Sequence, residues 1–242
     1  MSEEIKVTGI VLGGQAYKEK DKLITIFTLE TGKITASVKG VKLPKAKLKI
    51  FAQPFCLAEF ILTKTGSNYL VISANLIDDF MGITSDMDAY CIGNMMLELD
   101  NLLMKPSMIS NAMFLLTIKS LRAILYEEIN PELVGCKYLL EIMKISGGGW
   151  QFDACSNCGL KYISEVYLDL LNGSLCCRNC ASSESVELTR AEFNGLKIID
   201  NCDISSLKTL KLKTGLVTSC LTLLVNNFQV QNEYKIKSLI MK

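Results

Sequence analysis

The sequence has 242 residues, with 26 basic and 25 acidic side chains and no histidine. Without histidine the chain cannot contain a Ser-His-Asp triad, a Cys-His dyad or an HExxH metal site. Any acid–base group would therefore be a carboxylate, a lysine, a cysteine or a tyrosine. Any structural zinc would need cysteine ligands.

The composition predicts a folded protein that does not enter a membrane. Hydrophobic residues make up 49% of the chain, which suits one large domain or two smaller ones. No apolar run approaches the roughly 18–20 residues of a membrane helix, and the acidic N-terminal residues 1–6 lack the apolar core of a signal peptide. We therefore expect a cytoplasmic protein, in which ten cysteines indicate metal binding before disulfides.

The first third of the sequence has the alternation and the β-branched composition of strands. Ile34, Ala36 and Val38 alternate with polar neighbours, as in a strand buried on one face. Five strands are predicted, over residues 5–12, 23–29, 33–39, 54–63 and 68–77. A five-stranded Greek-key barrel of the OB-fold type is the economical arrangement, because closure removes the sheet edges; an open meander or an SH3-like barrel also fits. We assign residues 1–79 to this OB-type β domain and residues 80–242 to a second domain.

The second domain is predicted to be α-helical, because its apolar residues follow helical spacing. Ser85 and Asp88 are placed like a capping box before the first helix, and Thr189 and Glu192 like a second box before a later one. Pro131 marks the start of a further helix that ends before three glycines. The predicted helical segments lie around residues 92–103, 114–125 and 131–145, from residue 189 onward, and over 206–227.

Four cysteines form two C-x-x-C pairs that are separated by 18 residues. They are Cys155, Cys158, Cys177 and Cys180. At this spacing two tight turns can place four thiolates around one tetrahedral Zn²⁺ ion. Because four protein ligands leave no open coordination position, the predicted zinc is structural rather than catalytic. Cys176 could replace Cys177, but Cys177 keeps the two pairs symmetric.

The paired cysteines lie in an insert, residues 150–181, that we expect to form a zinc ribbon or knuckle hairpin within the helical domain. Residues 165–171 have the pattern of a strand, and Asn172-Gly173 is typical of a type I′ turn. The isolated cysteines are predicted to be ordinary buried thiols: Cys56, Cys91, Cys136, Cys202 and Cys220. The predicted fold is thus α+β and multidomain. With no phosphate-binding loop or deaminase signature, we expect neither enzymatic activity nor a small-molecule substrate.

The net charge of +1 conceals an uneven distribution. The first 80 residues carry eleven lysines and eight acidic residues, a balance of +3, whereas the remainder carries fifteen basic and seventeen acidic residues, a balance of −2. Residues 31–58 contain no acidic residue and six lysines, most of them between the predicted third and fourth strands: Lys33, Lys39, Lys42, Lys45, Lys47 and Lys49. Concentrated like charges indicate a polyanionic partner.

These six lysines are the predicted nucleic-acid-binding residues. OB-folds bind single-stranded nucleic acid through a basic groove and stacking aromatic side chains. Lysine contacts phosphate as a point charge, so binding is expected to depend on salt and little on sequence. The candidate stacking residues are Tyr17, Phe27, Phe51, Phe55 and Tyr69. A solvated loop without a ligand is the alternative.

Several short motifs together resemble one protein family. The segments Tyr17-Lys-Glu-Lys-Asp-Lys-Leu and Thr28-Leu-Glu-Thr-Gly-Lys, the lysine-rich loop that begins at Lys39, and Gln53-Pro-Phe are similar to the bacterial DNA repair and recombination proteins of the RecO family. The order of barrel, helical domain and four-cysteine insert also matches, over nearly the whole chain. The family loop usually contains arginine, and often serine where this chain has Ala46. The lysine-only loop therefore favours charge neutralisation over bidentate contacts.

The resemblance implies a non-enzymatic recombination mediator that works at the nucleoid. It implies binding to single- and double-stranded DNA, annealing of complementary strands, contact with the single-stranded DNA-binding protein, and action with RecR in loading RecA. The rival hypothesis is a protein-interaction scaffold with an OB-fold and a structural zinc site but no DNA binding. Salt-dependent binding to DNA distinguishes the two.

Overall fold

The computed structural model describes residues 4–161 and 165–241. Residues 1–3, part of the segment that argued against a signal peptide, lie outside the described residues. The chain divides into two compact units, Met1–Ile118 and Lys119–Lys242; the division into domains at residue 79 stays a prediction. Among the described residues no helix combines the length and the apolar character needed to cross a bilayer.

The first unit contains a closed five-stranded barrel. Its strands are β1 (Glu4–Tyr17), β2 (Asp21–Thr28), β3 (Gly32–Val38), β4 (Leu57–Thr65) and β5 (Asn68–Asp78). They follow the order β1-β2-β3-β5-β4, and the pairing of β1 with β4 closes the barrel. All neighbours are antiparallel except β3 and β5, which are parallel. The predicted OB-type barrel is confirmed, whereas an open meander is excluded by the closure.

Alternation of side chains forms the barrel core. Along β3, every second residue from Gly32 to Val38 is buried, and Ile34, Ala36 and Val38 join a core cluster with apolar residues of the other four strands. The predicted ends of two strands were wrong. The first strand continues past Leu12 to Tyr17 because a register shift between Val11 and Gly13 lets it bend and pair with two neighbours. The fourth begins at Leu57 because a short 3₁₀ turn, Ile50–Ala52, precedes it.

Two helices follow the barrel in the chain, α1 (Met87–Leu103) and α2 (Asn111–Leu125), and the boundary between the two units falls within α2. The predicted capping box at Ser85 and Asp88 was wrong. The side chain of Asp86 caps α1 by accepting a hydrogen bond from the Ala89 amide at 2.8 Å, and Ser85 ends a preceding 3₁₀ turn. The cap is therefore one residue later than predicted. Serine and aspartate are both favourable N-cap residues, so residue type alone did not distinguish the two positions.

The second unit combines helices α3 (Pro131–Ile145), α4 (Arg190–Asn201) and α5 (Thr214–Gln231) with a small sheet. The sheet strands are β6 (Val166–Asp169), β7 (Ser174–Cys177) and β8 (Val186–Leu188), in the order β7-β6-β8. The helix start at Pro131 is confirmed, with Asn130 as its cap. The capping box of Thr189 and Glu192 is also confirmed, because both of its reciprocal hydrogen bonds are present.

Two predictions in this unit were wrong in detail. The last helix is divided: residues Ile204–Thr209 form a 3₁₀ turn, and α5 begins only at Thr214. The β6–β7 connection is not a type I′ turn, because only Gly173 has a positive φ and four residues separate the paired Asp169 and Ser174. The Asp169 carboxylate instead accepts hydrogen bonds from the backbone amides of Leu171 and Asn172 in the turn.

We predict that Gly32→Ala destabilises the protein more than Gly66→Ala. Both glycines have positive φ, +70° and +64°, so each alanine adds backbone strain of about 1 kcal/mol. A Cβ at residue 32 would also lie 2.0 Å from the carbonyl oxygen of Met108, whereas residue 66 has open space. Urea unfolding should show a loss of about 3 kcal/mol for Gly32→Ala and about 1 kcal/mol for the control; equal losses would contradict the packing described here.

Candidate metal centre and nucleic-acid interface

The structure brings the four predicted ligand cysteines together in the second unit. The sulfur atoms of Cys155, Cys158, Cys177 and Cys180 all lie within 4.8 Å of one another. Four thiolates at the usual 2.3 Å zinc–sulfur distance would lie about 3.8 Å apart, and the Sγ atoms of Cys158 and Cys177 are 3.8 Å apart. The cluster therefore has the size of a tetrahedral four-thiolate site and could hold a metal ion.

Two tight turns and the end of a strand position these sulfurs. The amide of Gly159 donates to the carbonyl of Cys155 at 2.8 Å, closing the first turn. The second turn is the short 3₁₀ segment Arg178–Cys180, which follows β7, and the Cys177 amide donates to the Cys155 Sγ at 3.3 Å. Backbone geometry thus joins the two pairs before any ion is considered.

The strand also decides between the two adjacent cysteines. Cys176 and Cys177 are consecutive in β7, so their side chains point to opposite faces of the sheet. Cys176 is fully buried, and Cys177 is the one whose sulfur joins the cluster. The preference for Cys177 at the sequence level therefore agrees with the geometry.

Cys155 is the most deeply placed thiol of the cluster, at 1% exposure. Its burial opposes ionisation, but hydrogen bonds from the amides of Cys177, Cys158 and Asn157 outweigh burial and lower its pKa to about 6. Amide donors favour the thiolate, which is the form that binds metal. Of the isolated cysteines, Cys202 is only half-buried, unlike the prediction; the other four are buried as expected.

Five of the predicted DNA-binding lysines form one exposed segment between β3 and β4 of the first unit. We call them the lysine surface: Lys39, Lys42, Lys45, Lys47 and Lys49. Successive turns shape the backbone, in which amides of Leu43 and Ala46 donate to carbonyls three residues earlier. Buried Val41 belongs to the barrel core, and half-buried Leu48 packs against it. These apolar anchors hold the segment in place while its lysines face outward.

The turn between β1 and β2 adds two lysines that the sequence analysis missed as site residues. Lys18 and Lys20 are exposed. The Lys42 amide donates to the Lys20 carbonyl at 3.1 Å, and the Lys42 Nζ donates to the Lys18 carbonyl at 3.2 Å. The turn after the first strand is a usual ligand-binding loop of OB-folds, which is the signal that could have identified them. In the described part of the chain, no carboxylate forms an ion pair with these seven lysines.

The structure does not bring Lys33 together with the lysine surface. Lys33 lies near the N-terminal end of β3, whereas the lysine surface follows the C-terminal end. The Lys33 Nζ donates to the backbone carbonyl of Asn101, in the last turn of α1, at 2.6 Å. Partial burial lowers the pKa of Lys33. A cation is favourable at this position because the last carbonyls of a helix lack partners within the helix. Lys33 thus has a structural partner already.

Two of the five candidate stacking residues are excluded by burial. Phe27 is fully buried with its ring centre 5.5 Å from that of Phe114, and Phe55 is 2% exposed; both are core residues and are removed from the candidates. Phe27 lies in a strand segment whose outer face is covered by a helix, which no local pattern reveals. Phe51 and Tyr69 are half-buried against the barrel core. Tyr17 is 40% exposed, with the Lys18 Nζ 5.2 Å from its ring centre.

Comparisons with known proteins agree on one family. The family model described as recombination protein O N terminal matches residues 1–80, and the model described as recombination protein O C terminal matches residues 84–240. The DNA repair protein RecO of Clostridium novyi (strain NT) is 29% identical over 201 residues, which cover 83% of this chain and 78% of that protein. The DNA repair protein RecO of Caldicellulosiruptor saccharolyticus is 26% identical over 235 residues, covering 97% and 96%.

We predict that the full chain binds one thiophilic metal ion and loses it when a cluster cysteine is replaced. Cys158→Ser removes one of the four sulfurs and should lower the metal content measured by mass spectrometry to well below one ion per chain. Cys176→Ser is the matched control, because its sulfur lies on the other face of the same strand. Metal loss in the control, or a Cys158→Ser protein that keeps its ion, would contradict the four-cysteine site.

Proposed function

Because the chain belongs to the RecO family of DNA repair and recombination proteins, we propose that it binds single- and double-stranded DNA through its barrel without strong sequence specificity. We further propose that it anneals complementary strands and, with RecR, assists the loading of RecA onto DNA coated by the single-stranded DNA-binding protein. On this proposal it acts at the nucleoid by binding rather than by catalysis. The observation that carries the proposal is the exposed lysine surface, whose segment contains no acidic residue of its own.

Charge is the physical basis of the proposed binding. Five exposed lysines within eleven residues repel one another, and Lys18 and Lys20 lie on the neighbouring turn. A phosphate backbone relieves this repulsion and releases its condensed counterions. Lysine ammonium groups contact phosphates as point charges and do not discriminate between bases. Tyr17, exposed beside Lys18, is the aromatic side chain that we propose for stacking a base.

Annealing follows from the same electrostatics. Two complementary strands repel each other through their phosphates, and this repulsion decreases when bound lysines neutralise part of the charge. A surface that holds the backbone and leaves the base edges free would still permit pairing. The anchored loop suits this role, since Val41 and Leu48 fix its backbone against the barrel while its lysine side chains are exposed to solvent.

For the cysteine cluster we propose one structural Zn²⁺ ion, held by Cys155, Cys158, Cys177 and Cys180. Bound zinc would cross-link the two turns. With four cysteine ligands it would have no open coordination position for catalysis. Several contacts connect this insert to the helices of its unit. Asp153 forms a 2.6 Å ion pair with Lys197 of α4, and the Gln231 side-chain amide at the end of α5 donates to the Leu170 carbonyl at 2.5 Å. The ion would thus stiffen a hairpin that is already attached to the helices.

We predict that replacing four residues of the lysine surface by alanine weakens DNA binding. The variant combines Lys42→Ala, Lys45→Ala, Lys47→Ala and Lys49→Ala. Its affinity for oligo(dT), measured by fluorescence anisotropy, should fall about tenfold or more, and the slope of log K against log salt should flatten by about 3. A control with the same charge change replaces four exposed lysines elsewhere: Lys105, Lys119, Lys161 and Lys235.

The same two variants separate the proposal from its rival. If the full chain shows no salt-dependent DNA binding, the protein-interaction scaffold is favoured and the proposed function fails. If the control loses as much affinity as the lysine-surface variant, the barrel has no special role. Annealing of complementary strands, measured across a salt series with the single-stranded DNA-binding protein present and absent, then tests the mediator activity beyond simple binding.

A further inference from the structure

A second lysine-rich segment lies in the other compact unit, between α4 and α5. Residues 204–232 contain three lysines and no acidic residue. Its lysines are Lys208, Lys211 and Lys213, all exposed; we call them the lysine strip. The DNA binding proposed for the barrel does not involve this segment. From the sequence, the segment was predicted to belong to the last helix.

The segment is not a helix but a short turn followed by extended chain. Residues Ile204–Thr209 form a 3₁₀ turn, and the backbone is extended at Leu210 and Lys213, just before α5. Leu207 is fully buried, and Leu210 and Leu212 are half-buried. The apolar residues therefore attach the segment to its unit, as Val41 and Leu48 attach the lysine surface to the barrel.

This backbone turns the three lysines toward solvent. Lys208 lies in the 3₁₀ turn and Lys211 and Lys213 lie beyond it, and all three are exposed. In extended chain, residues two apart share a side, so Lys211 and Lys213 face the same way. The leucine before each lysine is wholly or partly buried: Leu207, Leu210 and Leu212. The two sets are complementary: leucines face the unit, and lysines face solvent.

The strip has no anionic partner within the part of the chain that the structure describes. None of its lysines forms an ion pair with a carboxylate there. The helix that follows, α5, has no acidic residue in its first turn and no side-chain cap, although acidic residues are favoured at such positions. Three neighbouring cations without compensation indicate a partner that is itself anionic.

We propose that the lysine strip is a second DNA-contacting surface, which binds the phosphates of a second strand while the lysine surface holds the first. This inference rests on the proposed DNA binding and extends it to annealing, which requires two strands on one protein. The spacing suits a phosphate backbone. Lys211 and Lys213 are separated by two residues of extended chain, about 6.6 Å, so their ammonium groups can contact different phosphates of one strand.

A nucleic acid fits the strip better than an acidic protein segment does. Protein partners are anchored mainly by apolar and aromatic contacts in a well-packed centre. No large apolar side chain is exposed among the described residues 204–213, because the leucines of the segment are turned inward. The strip therefore offers charges alone, which is the chemistry of sequence-independent phosphate binding.

The test uses the full chain and two oligo(dT) strands, which cannot pair with each other; one strand is immobilised and the other is fluorescent. Protein is captured on immobilised oligo(dT) at a density low enough for one chain per strand, and binding of fluorescent oligo(dT) to that complex is then measured. The strip variant combines Lys208→Gln, Lys211→Gln and Lys213→Gln; the control combines Lys105→Gln, Lys119→Gln and Lys235→Gln. Thermal unfolding and metal content confirm that both variants are folded.

The strip variant should bind the immobilised strand within about twofold of wild type but capture the second strand on the order of tenfold less, with a salt slope flatter by about 2. Capture of the second strand at the level of the control would overturn the inference. The inference would also fail if the strip variant lost binding to the immobilised strand to the same extent as the lysine-surface variant. Binding of a fluorescent poly-glutamate peptide is measured as well. A strip variant that lost the peptide but still bound both DNA strands would likewise contradict the inference. Loss of the proposed function has a different signature, since wild type would then bind neither strand.

Discussion

The pairing of β1 with β4 closes the barrel, and the arrangement of the basic side chains depends on that closure. Residues from Glu4 to Ile10 pair with β4, and the same strand then bends and pairs with β2. In a closed barrel the connection from β3 to β4 has to cross an end of the core. Its apolar residues Val41 and Leu48 are therefore drawn inward, and its lysines are left facing solvent, where their charges are hydrated.

The second unit contains a segment with the same arrangement of inward apolar residues and solvent-facing lysines. There, buried and half-buried leucines hold a non-helical segment in place and turn three lysines outward. In both segments, closely spaced apolar residues pack inward and hold the backbone in place. The lysines between them are therefore left facing solvent. The cysteine cluster applies another kind of constraint to the same unit: four sulfurs converge because two turns and one strand end are joined by backbone hydrogen bonds.

Features with a strong local signal could be predicted from the sequence. The alternation of β3, the Asn130-Pro131 helix start, the Thr189 capping box and the two C-x-x-C pairs each encode their structure within a few residues. Features without a local signal depend on distant contacts. The bend of β1 is set by pairing with two strands, the amino group of Lys33 is bound by the end of α1, and Phe27 is covered by Phe114. Charge counting along the chain therefore grouped Lys33 with the loop lysines and left out Lys18 and Lys20, which lie beside the lysine surface only in the folded protein.

The central claim is that DNA phosphates contact the lysine surface of the barrel, and chemical protection of lysines measures this most directly. The full chain would be acetylated briefly with and without single-stranded DNA, and the modification of each lysine quantified by mass spectrometry. The account predicts that DNA protects Lys39, Lys42, Lys45, Lys47 and Lys49, together with Lys18 and Lys20, whereas Lys105 and Lys119 react equally in both samples. Equal reactivity of the lysine surface with and without DNA would contradict it.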